Sequence, residues 1–419
     1  MHKKKRGQVT IYIILGIIIL FSAIIFFYFR NTSEKEIGIQ ESIISQRIPK
    51  EARPITNYVT TQLDDATKKG LFLIGRQGGY IYASQGVPNI HDPTEQGKDF
   101  ISYDENQDIH NVSYLILKQE NDFFNYYFHE PKYYPWYFYP YSHYPTSTDK
   151  GFFGGYFGVT NLLPLESNDT VTISIQSELD DFITNYLKEK INLTIFEKQG
   201  FEINDKKDQM NISVIIGKND VIVLLDYPIG IRKNTFGEAI NVSLFYSNPQ
   251  VRLRKIYDLA KDIINKDSTD VLFNIDAPEN DLNQMTIKKE ESQFEQDDII
   301  KITDNKSMIY AEHYIFQFAR KNRYPALRYI PLPSNVFGGN EAVVGAKITK
   351  SIINPKGDDP DEDVTIFVYN PQLPYSVKQS DFDRGYAEIN VSVKEEGNPS
   401  FYDWQLLQII VSGESEATY

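Results

Sequence analysis

The chain has 419 residues, 41% hydrophobic and 24% charged, with a formal net charge of −14 and no cysteine. The missing thiols exclude disulfides, thiolate catalysis and Cys-ligated zinc, so exported domains must rely on their own cores. Lys3, Lys4, Lys5, Arg6 and Arg30 lie in the first thirty residues, and no basic stripe follows them, which argues against nucleic acid as a partner.

Ile11 to Phe29 carries no charge, and only Gly16 and Ser22 fall outside the apolar and aromatic set. A helix of that length spans about 29 Å, the thickness of a bilayer's hydrocarbon core. The cations before it hold the N-terminus in the cytoplasm by the positive-inside bias, and Phe26-Phe27-Tyr28-Phe29 reads as an interfacial belt. The expectation is a single-pass protein of the cytoplasmic membrane with its bulk outside the cell. The junction Lys5-Arg6-Gly7-Gln8-Val9-Thr10 resembles the class III signals of archaeal type IV pilin-like proteins, which implies processing between Gly7 and Gln8. Tyr12 stands where many pilins carry an acidic residue.

A helix is expected over Ile55 to Ile74, ended by Gly75 and Gly78-Gly79, then a strand at Tyr80 to Tyr82, a polar loop, and a strand at Val112 to Leu117. From Phe123 to Tyr144, thirteen of twenty-two residues are aromatic, punctuated by Pro131, Pro135 and Pro140. Prolines at that frequency forbid a long helix or central strand. The segment reads either as a stacking platform for a surface glycan or protein partner, with Tyr134, Trp136 and Tyr139 as contacts, or as a loop that covers the core with its own rings.

Between residues 171 and 274 the pattern is helix, antiparallel strands, helix. Ile175 through Ile195 present one apolar face with Gly200 as terminal cap; strands follow at Asn211 to Ile216, Val221 to Tyr227, Ile229 to Arg232 and Ala239 to Tyr246. Asn248-Pro249 starts a second helix with Leu253, Ile256, Tyr257, Ala260, Ile263 and Ile264 inward. From the span through Gly75 to Tyr80 and this unit, the chain resembles single-span surface proteins of small-genome archaea, a resemblance that implies topology and no activity.

Asp276 to Asp298 reads as an acidic connection, followed by strands at Ile299 to Thr303 and Tyr314 to Ala319. After Pro325 short β runs recur at Ala342 to Ile348, Asp363 to Tyr369, Tyr386 to Val393 and Leu406 to Ser412. Asp358-Asp359-Pro360-Asp361-Glu362-Asp363-Val364-Thr365 resembles the Asp-Pro-Asp-Gly-Asp turn of cadherin-like and other immunoglobulin-like modules, with Glu362 in the place of Gly. Asp358, Asp359, Asp361 and Asp363 are the one candidate metal set, for Ca2+; otherwise no cofactor is expected.

No catalytic signature stands out. His91, His110, His129, His143 and His313 form no close-spaced ligand pair, and Asp180/Asp181, Glu290/Glu291 and Asp297/Asp298 read as solvated faces. Eight Asn-x-Ser/Thr sequons, at Asn31, Asn111, Asn168, Asn192, Asn211, Asn241, Asn305 and Asn390, fit a glycosylated exterior. The expected fold is α+β: a transmembrane helix at 11–29 after a cytoplasmic stub (1–10), a membrane-proximal part (30–170), an α+β domain (171–274), a β connection (275–324) and an immunoglobulin-like β-sandwich (325–419). The expected function is non-enzymatic binding, adhesion or envelope structure at the cell surface. The alternatives are a pilin-like filament subunit and an extracellular hydrolase acting on glycan or peptide.

Overall fold

The computed structural model describes residues 49–87, 95–105, 108–117, 159–233, 238–270, 272–292, 294, 296–327, 330, 342–398, 400 and 402–412. The Ile11 to Phe29 span, Gly7, Gln8, Asn31 and the Phe123 to Tyr144 segment lie outside the described residues. Among those described, no helix is long and apolar enough to cross a membrane. The protein is a mixed α+β structure in which sheets predominate.

The elements in chain order are helix α1 (Arg53–Arg76), strands β1 (Phe100–Glu105), β2 (Asp108–Leu117) and β3 (Val159–Thr160), helices α2 (Ile175–Lys190) and α3 (Thr194–Glu197), and strands β4 (Phe201–Asp205), β5 (Asn211–Ile216), β6 (Val221–Lys233) and β7 (Ile240–Ser247). Helix α4 (Leu253–Thr269) then leads into β8 (Met285–Glu291), β9 (Asp298–Ile309), β10 (Glu312–Arg320), β11 (Ala326–Leu327) and β12 (Lys347–Ile348). Helix α5 (Lys350–Ile353), β13 (Gly357–Asp358), β14 (Thr365–Asn370), β15 (Tyr375–Ser376), α6 (Gln379–Arg384), β16 (Tyr386–Glu395) and β17 (Tyr402–Ile410) complete the chain.

These elements fall into two compact units that interleave in sequence. Of the described residues, one holds those up to Leu63 with those of Leu187–Ser213 and Leu224–Ser247; the other holds those of Asp64–Tyr186, Val214–Val223 and Asn248–Tyr419. In the first, β4 pairs antiparallel with the far half of β6, from Phe201↔Lys233 to Asp205↔Ile229, and the Tyr227 hydroxyl donates to Asp205 at 2.9 Å. Tyr58, Phe196 and Phe201 stack edge to face at 5.5 and 6.4 Å. The separate strand expected at Ile229 to Arg232 is instead the continuation of β6 through Pro228, whose carbonyl accepts from Lys206.

The second unit is built on a sheet ordered β1-β2-β10-β9-β8, with β3 also on β2. Every neighbour is antiparallel except β2 and β10, which run parallel at Ala319↔Tyr114 and Arg320↔Ile116. Helix α4 buries Leu253, Ile256, Tyr257, Leu259, Ala260, Ile263 and Ile264, each large side chain contributing about 1.5–3 kcal/mol. It starts at Leu253 rather than at Asn248-Pro249, because Val221 N–H and Val251 N–H both bond the Pro249 carbonyl and hold that stretch non-helical.

Two further local expectations are corrected. Tyr80 to Tyr82 is not a strand: Gln77 Nε2 donates to the Tyr80 carbonyl, and Glu178 and Gln85 carboxyl and amide oxygens take the Ile81 and Tyr82 N–H groups. With those groups satisfied by side chains, no ladder is needed. The acidic connection after Asp276 contains β8, whose Met285 and Ile287 are buried while charged neighbours line its rim.

Gly75 carries a sharp packing requirement, since a Cβ there would sit 2.3 Å from the Ile315 carbonyl oxygen and about 3.1 Å from the Tyr314 ring. Gly75→Ala is therefore expected to destabilise the protein by about 1–3 kcal/mol, read as a lowered urea midpoint at unchanged slope. An unchanged midpoint would mean that α1 and β10 can separate freely.

The C-terminal part of this unit is a three-stranded antiparallel sheet ordered β14-β16-β17, flanked by the two-stranded ladders β11–β13 and β12–β15. Alternation places Ala387, Ile389, Val391, Val393, Leu407 and Ile409 in its core. Of the β run expected at Ala342 to Ile348, only Lys347–Ile348 and a single bridge from Ala342 to Val411 pair. Buried polar side chains stand in for a fourth strand: Asp403 accepts from Leu327 N–H at 2.8 Å, and the Gln405 amide both accepts from and donates to Ile330.

Candidate functional site

The densest chemistry in the described residues gathers where β9 begins and β10 ends. Arg320, Lys321, Asn322 and Arg323 are all buried, the last completely. The Arg320 guanidinium meets Asp298 at 2.5 Å, Asp267 at 2.8 Å and Asp361 at 3.1 Å. Arg323 grips Asp361 through Nε at 3.0 Å and Nη2 at 2.8 Å, donates to the Pro360 and Asp267 carbonyls, and lies 2.8 Å from Asp267 Oδ2. Asp267 sits in the last turn of α4, where the helix dipole opposes an anion, and both guanidiniums lie against it.

A neighbouring set is centred on Asp297, which accepts from the Tyr114 hydroxyl at 2.5 Å, Lys321 Nζ at 3.1 Å and Asn322 N–H at 2.8 Å. Lys321 also lies over the Tyr114 ring at 4.4 Å. Asn322 Nδ2 donates to Glu395 Oε1 at 3.1 Å, which ties the end of β16 to the same point. At the other end of α4, Arg252 pairs with Asp304, and Ser307 donates to that carboxylate at 2.5 Å. Helix α4 is thus fastened to β9 and β10 at both ends by ions.

Acids outnumber bases in this interior. Asp267, Asp297, Asp298 and Asp361 pair with Arg320, Lys321 and Arg323, while buried Asp359 and Glu395 and half-buried Asp363 lie beside them with none of these bases as an ion-pair partner. Burial, with Arg323 and Arg320 outweighing it, holds the Asp361 carboxyl below the usual range. Burial and the adjacent Asp361 and Asp363 charges push Asp359 up to about 8. Burial raises Glu395 to about 7, against the opposing bond from Asn322, and raises Asp363 to about 6 with help from Asp361 and Asp298. Asp359 Oδ2, Glu395 Oε2 and Asn322 Oδ1 accept no hydrogen bond. Burial thus disfavours the ionised form of Asp359, Glu395 and Asp363.

The acidic turn is not laid out as a calcium loop, which corrects the sequence reading. Asp361 is committed to two arginines, Asp359 Oδ1 accepts the Asp361 N–H, and Asp358 pairs with Ala326 in the β11–β13 ladder. Among the described residues no group of three or more His, Asp or Glu is arranged to hold a metal. Glu362 does adopt the left-handed φ of +70° that the turn resemblance assigns to Gly, and it pairs with Lys289 at 2.6 Å. Asp297 and Asp298, read as solvated from sequence, are buried, and Glu290 takes the Tyr103 hydroxyl and Lys301 on the sheet. Asp180 accepts the Val214 N–H at 2.9 Å. His110 packs on Phe72, His313 is exposed, and His91, His129 and His143 lie outside the described residues.

The signal that sequence reasoning missed is Arg320-Lys321-Asn322-Arg323 directly after the apolar strand Phe316 to Ala319. A basic run continuing a buried strand has to find buried acids. Away from this cluster, a groove of about 220 Å³ is lined by Thr160, Leu162, Pro164, Tyr257, Lys261, Ile264 and Asn265. It begins beside β3, whose Val159 is the register partner of Leu117 on β2. Leu117 and Val159 bracket the sequence 118–158, which contains Tyr134, Trp136 and Tyr139 and lies outside the described residues. Comparisons with protein-family models, with curated proteins and with solved structures return no match.

Proposed function

We propose that the chain is a non-catalytic, membrane-anchored surface protein of archaeal type that presents the Tyr/Pro-rich segment 118–158 to a surface glycan or protein partner. The observation that carries this reading is the pairing of the residues that flank the segment: Ile116↔Thr160 and Leu117↔Val159 are antiparallel register partners on the sheet. A loop fixed at both ends on a rigid sheet loses less freedom on binding than a free tail does. The ion-paired interior supports the same reading, because its charged groups bind one another rather than facing a cleft. On this reading Ile11 to Phe29 is the anchor, and the three-stranded module, read as immunoglobulin-like, spaces the display from its surroundings.

The test is retention of liposomes bearing the full chain on whole cells and on immobilised envelope glycans. Tyr134→Ala, Trp136→Ala and Tyr139→Ala together are expected to reduce retention at least tenfold with unchanged melting; equal retention would remove the loop from the function. N-terminal sequencing separates the anchor from the filament reading, since a mature chain beginning at Gln8 favours the pilin-like subunit.

A further inference from the structure

The eight sequons do not share one geometry. Asn168-Asp169-Thr170 and Asn192-Leu193-Thr194 are the two that carry Thr; the other six carry Ser. Among the described sequons they are also the two that form a tight side-chain turn. Asn168 Oδ1 accepts from Thr170 N–H at 2.9 Å, Thr170 Oγ1 at 2.8 Å and Val171 N–H at 2.8 Å. Asn192 Oδ1 accepts from Thr194 N–H at 3.1 Å and Thr194 Oγ1 at 2.7 Å. Both asparagines are exposed, and neither Nδ2 makes a hydrogen bond.

The remaining described sequons lie on strands. Asn111 is half-buried on β2, and its Ser113 is buried against the Tyr82 hydroxyl. Ser307, partner of Asn305, is buried and gives its proton to Asp304. Asn211, Asn241 and Asn390 sit in β5, β7 and β16. At Asn390 the Ser392 hydroxyl reaches Oδ1 at a long 3.4 Å, but the ladder commits the residue-three N–H to the backbone, so the strand does not converge both donors on the asparagine oxygen as the turn does.

We infer that Asn168 and Asn192 are the N-linked glycan acceptors of the folded protein, with a polyprenyl-phosphate-linked oligosaccharide as donor; the inference rests on the extracytoplasmic placement proposed above. In the turn, two or three donors polarise Oδ1 and leave Nδ2 facing solvent. Nδ2 attacks the anomeric carbon of the donor, forming the N–C bond. The C–O bond to phosphate breaks, the electron pair leaves with the polyprenyl phosphate, and Nδ2 loses one proton to the transferase base. No oxidant or reductant is required.

The full chain, extended after Tyr419 by a reporter sequon in a flexible tail and expressed in an archaeal host with an active oligosaccharyl transferase, is mapped by glycopeptide mass spectrometry. Glycan is expected at Asn168 and Asn192 in most molecules, with Asn111 and Asn305 bare. Thr170→Ser and Thr194→Ser should lower occupancy of their own sites several-fold, and Thr170→Val and Thr194→Val should abolish it. Bare Asn168 and Asn192 overturn the inference. A reporter that is glycosylated in that case leaves the surface reading standing, and a bare reporter removes the surface reading as well.

Discussion

Arg323→Ala is expected to be the most damaging single substitution in the described fold. Arg323 is completely buried and is held by Asp361, by the Pro360 carbonyl and by both the carbonyl and the carboxylate of Asp267. Its removal leaves Asp267 and Asp361 to share Arg320 with Asp298. Breaking one partner out of a buried pair costs about 3–5 kcal/mol, because the remaining charge stays desolvated, and that is a large share of the 5–15 kcal/mol that typically separates folded from unfolded chains. At 2–4 °C per kcal/mol for a unit of this size, the melting temperature should fall by roughly 10 °C or more. Arg323→Lys should recover only part of the loss, since an ammonium cannot reproduce the Nε and Nη2 fork on Asp361. Arg384→Ala is the control, as its partner Asp381 is buried but its own side chain is half-exposed, and it should lower the melting temperature far less. Equal melting of the Arg323→Ala and Arg384→Ala proteins would mean that the cluster contributes no more than a surface pair.

The parts of this fold that were legible in the sequence are those whose signal is local. The apolar face of α4 and the alternation in β16 each survive in the structure because side-chain period and burial face agree over a whole element. The strands β1, β4 and β8 were not legible, since Phe100–Glu105, Phe201–Asp205 and Met285–Glu291 owe their pairing to partners elsewhere in the chain: β1 to β2, β4 to the end of β6 and β8 to β9. The ionic cluster was hidden for the same reason. Asp267, Asp298, Asp361 and the Arg320–Arg323 run come from four places in the chain, and nothing at any one of the acids distinguishes it from the many acids expected on the surface. The parallel contact of β2 with β10 joins Tyr114 to Ala319, a separation that no window reading spans.

That arrangement gives the candidate site its meaning. A chain without cysteine needs long-range ties other than disulfides, and here they are polar: Arg252 to Asp304 at one end of α4, Asp267 to Arg320 and Arg323 at the other, and Arg323 to Asp361 and Asn322 to Glu395 reaching the C-terminal module. Such ties specify one arrangement of sheet, helix and module, at the expense of burying more acids than bases.

That excess leads to the second large expected effect, a protein more stable in mild acid than at neutral pH. Glu395 and Asp359 are buried with one carboxyl oxygen each unpartnered, and burial lifts them to about 7 and about 8; burial also lifts Asp363 and Asp180 to about 6. Below about pH 4 these groups are protonated in both folded and unfolded chains, and the stability they permit is fully present. As pH rises from about 4 to 8 the unfolded chain releases protons that the folded chain retains, so the unfolded state binds fewer protons and stability falls. For Glu395, a rise from 4.5 to about 7 corresponds to on the order of 3 kcal/mol at 1.36 kcal/mol per pH unit. The four groups share a network in part, so their effects do not simply add. Asp361, Asp304 and Asp381, whose pKa values are held below normal by arginines and hydrogen bonds, act in the opposite sense, and their contribution is lost only as pH falls below about 4. Thermal melting at fixed ionic strength should therefore peak near pH 4–5 and drop by about 10 °C by pH 8. Glu395→Gln keeps an oxygen for Asn322 without the ionisable proton, so it should match the parent at pH 5 and exceed it at pH 8. A melting temperature that rises from pH 5 to pH 8, or a Glu395→Gln protein that loses stability at pH 8, would show that these carboxylates are ionised and solvated in the folded chain.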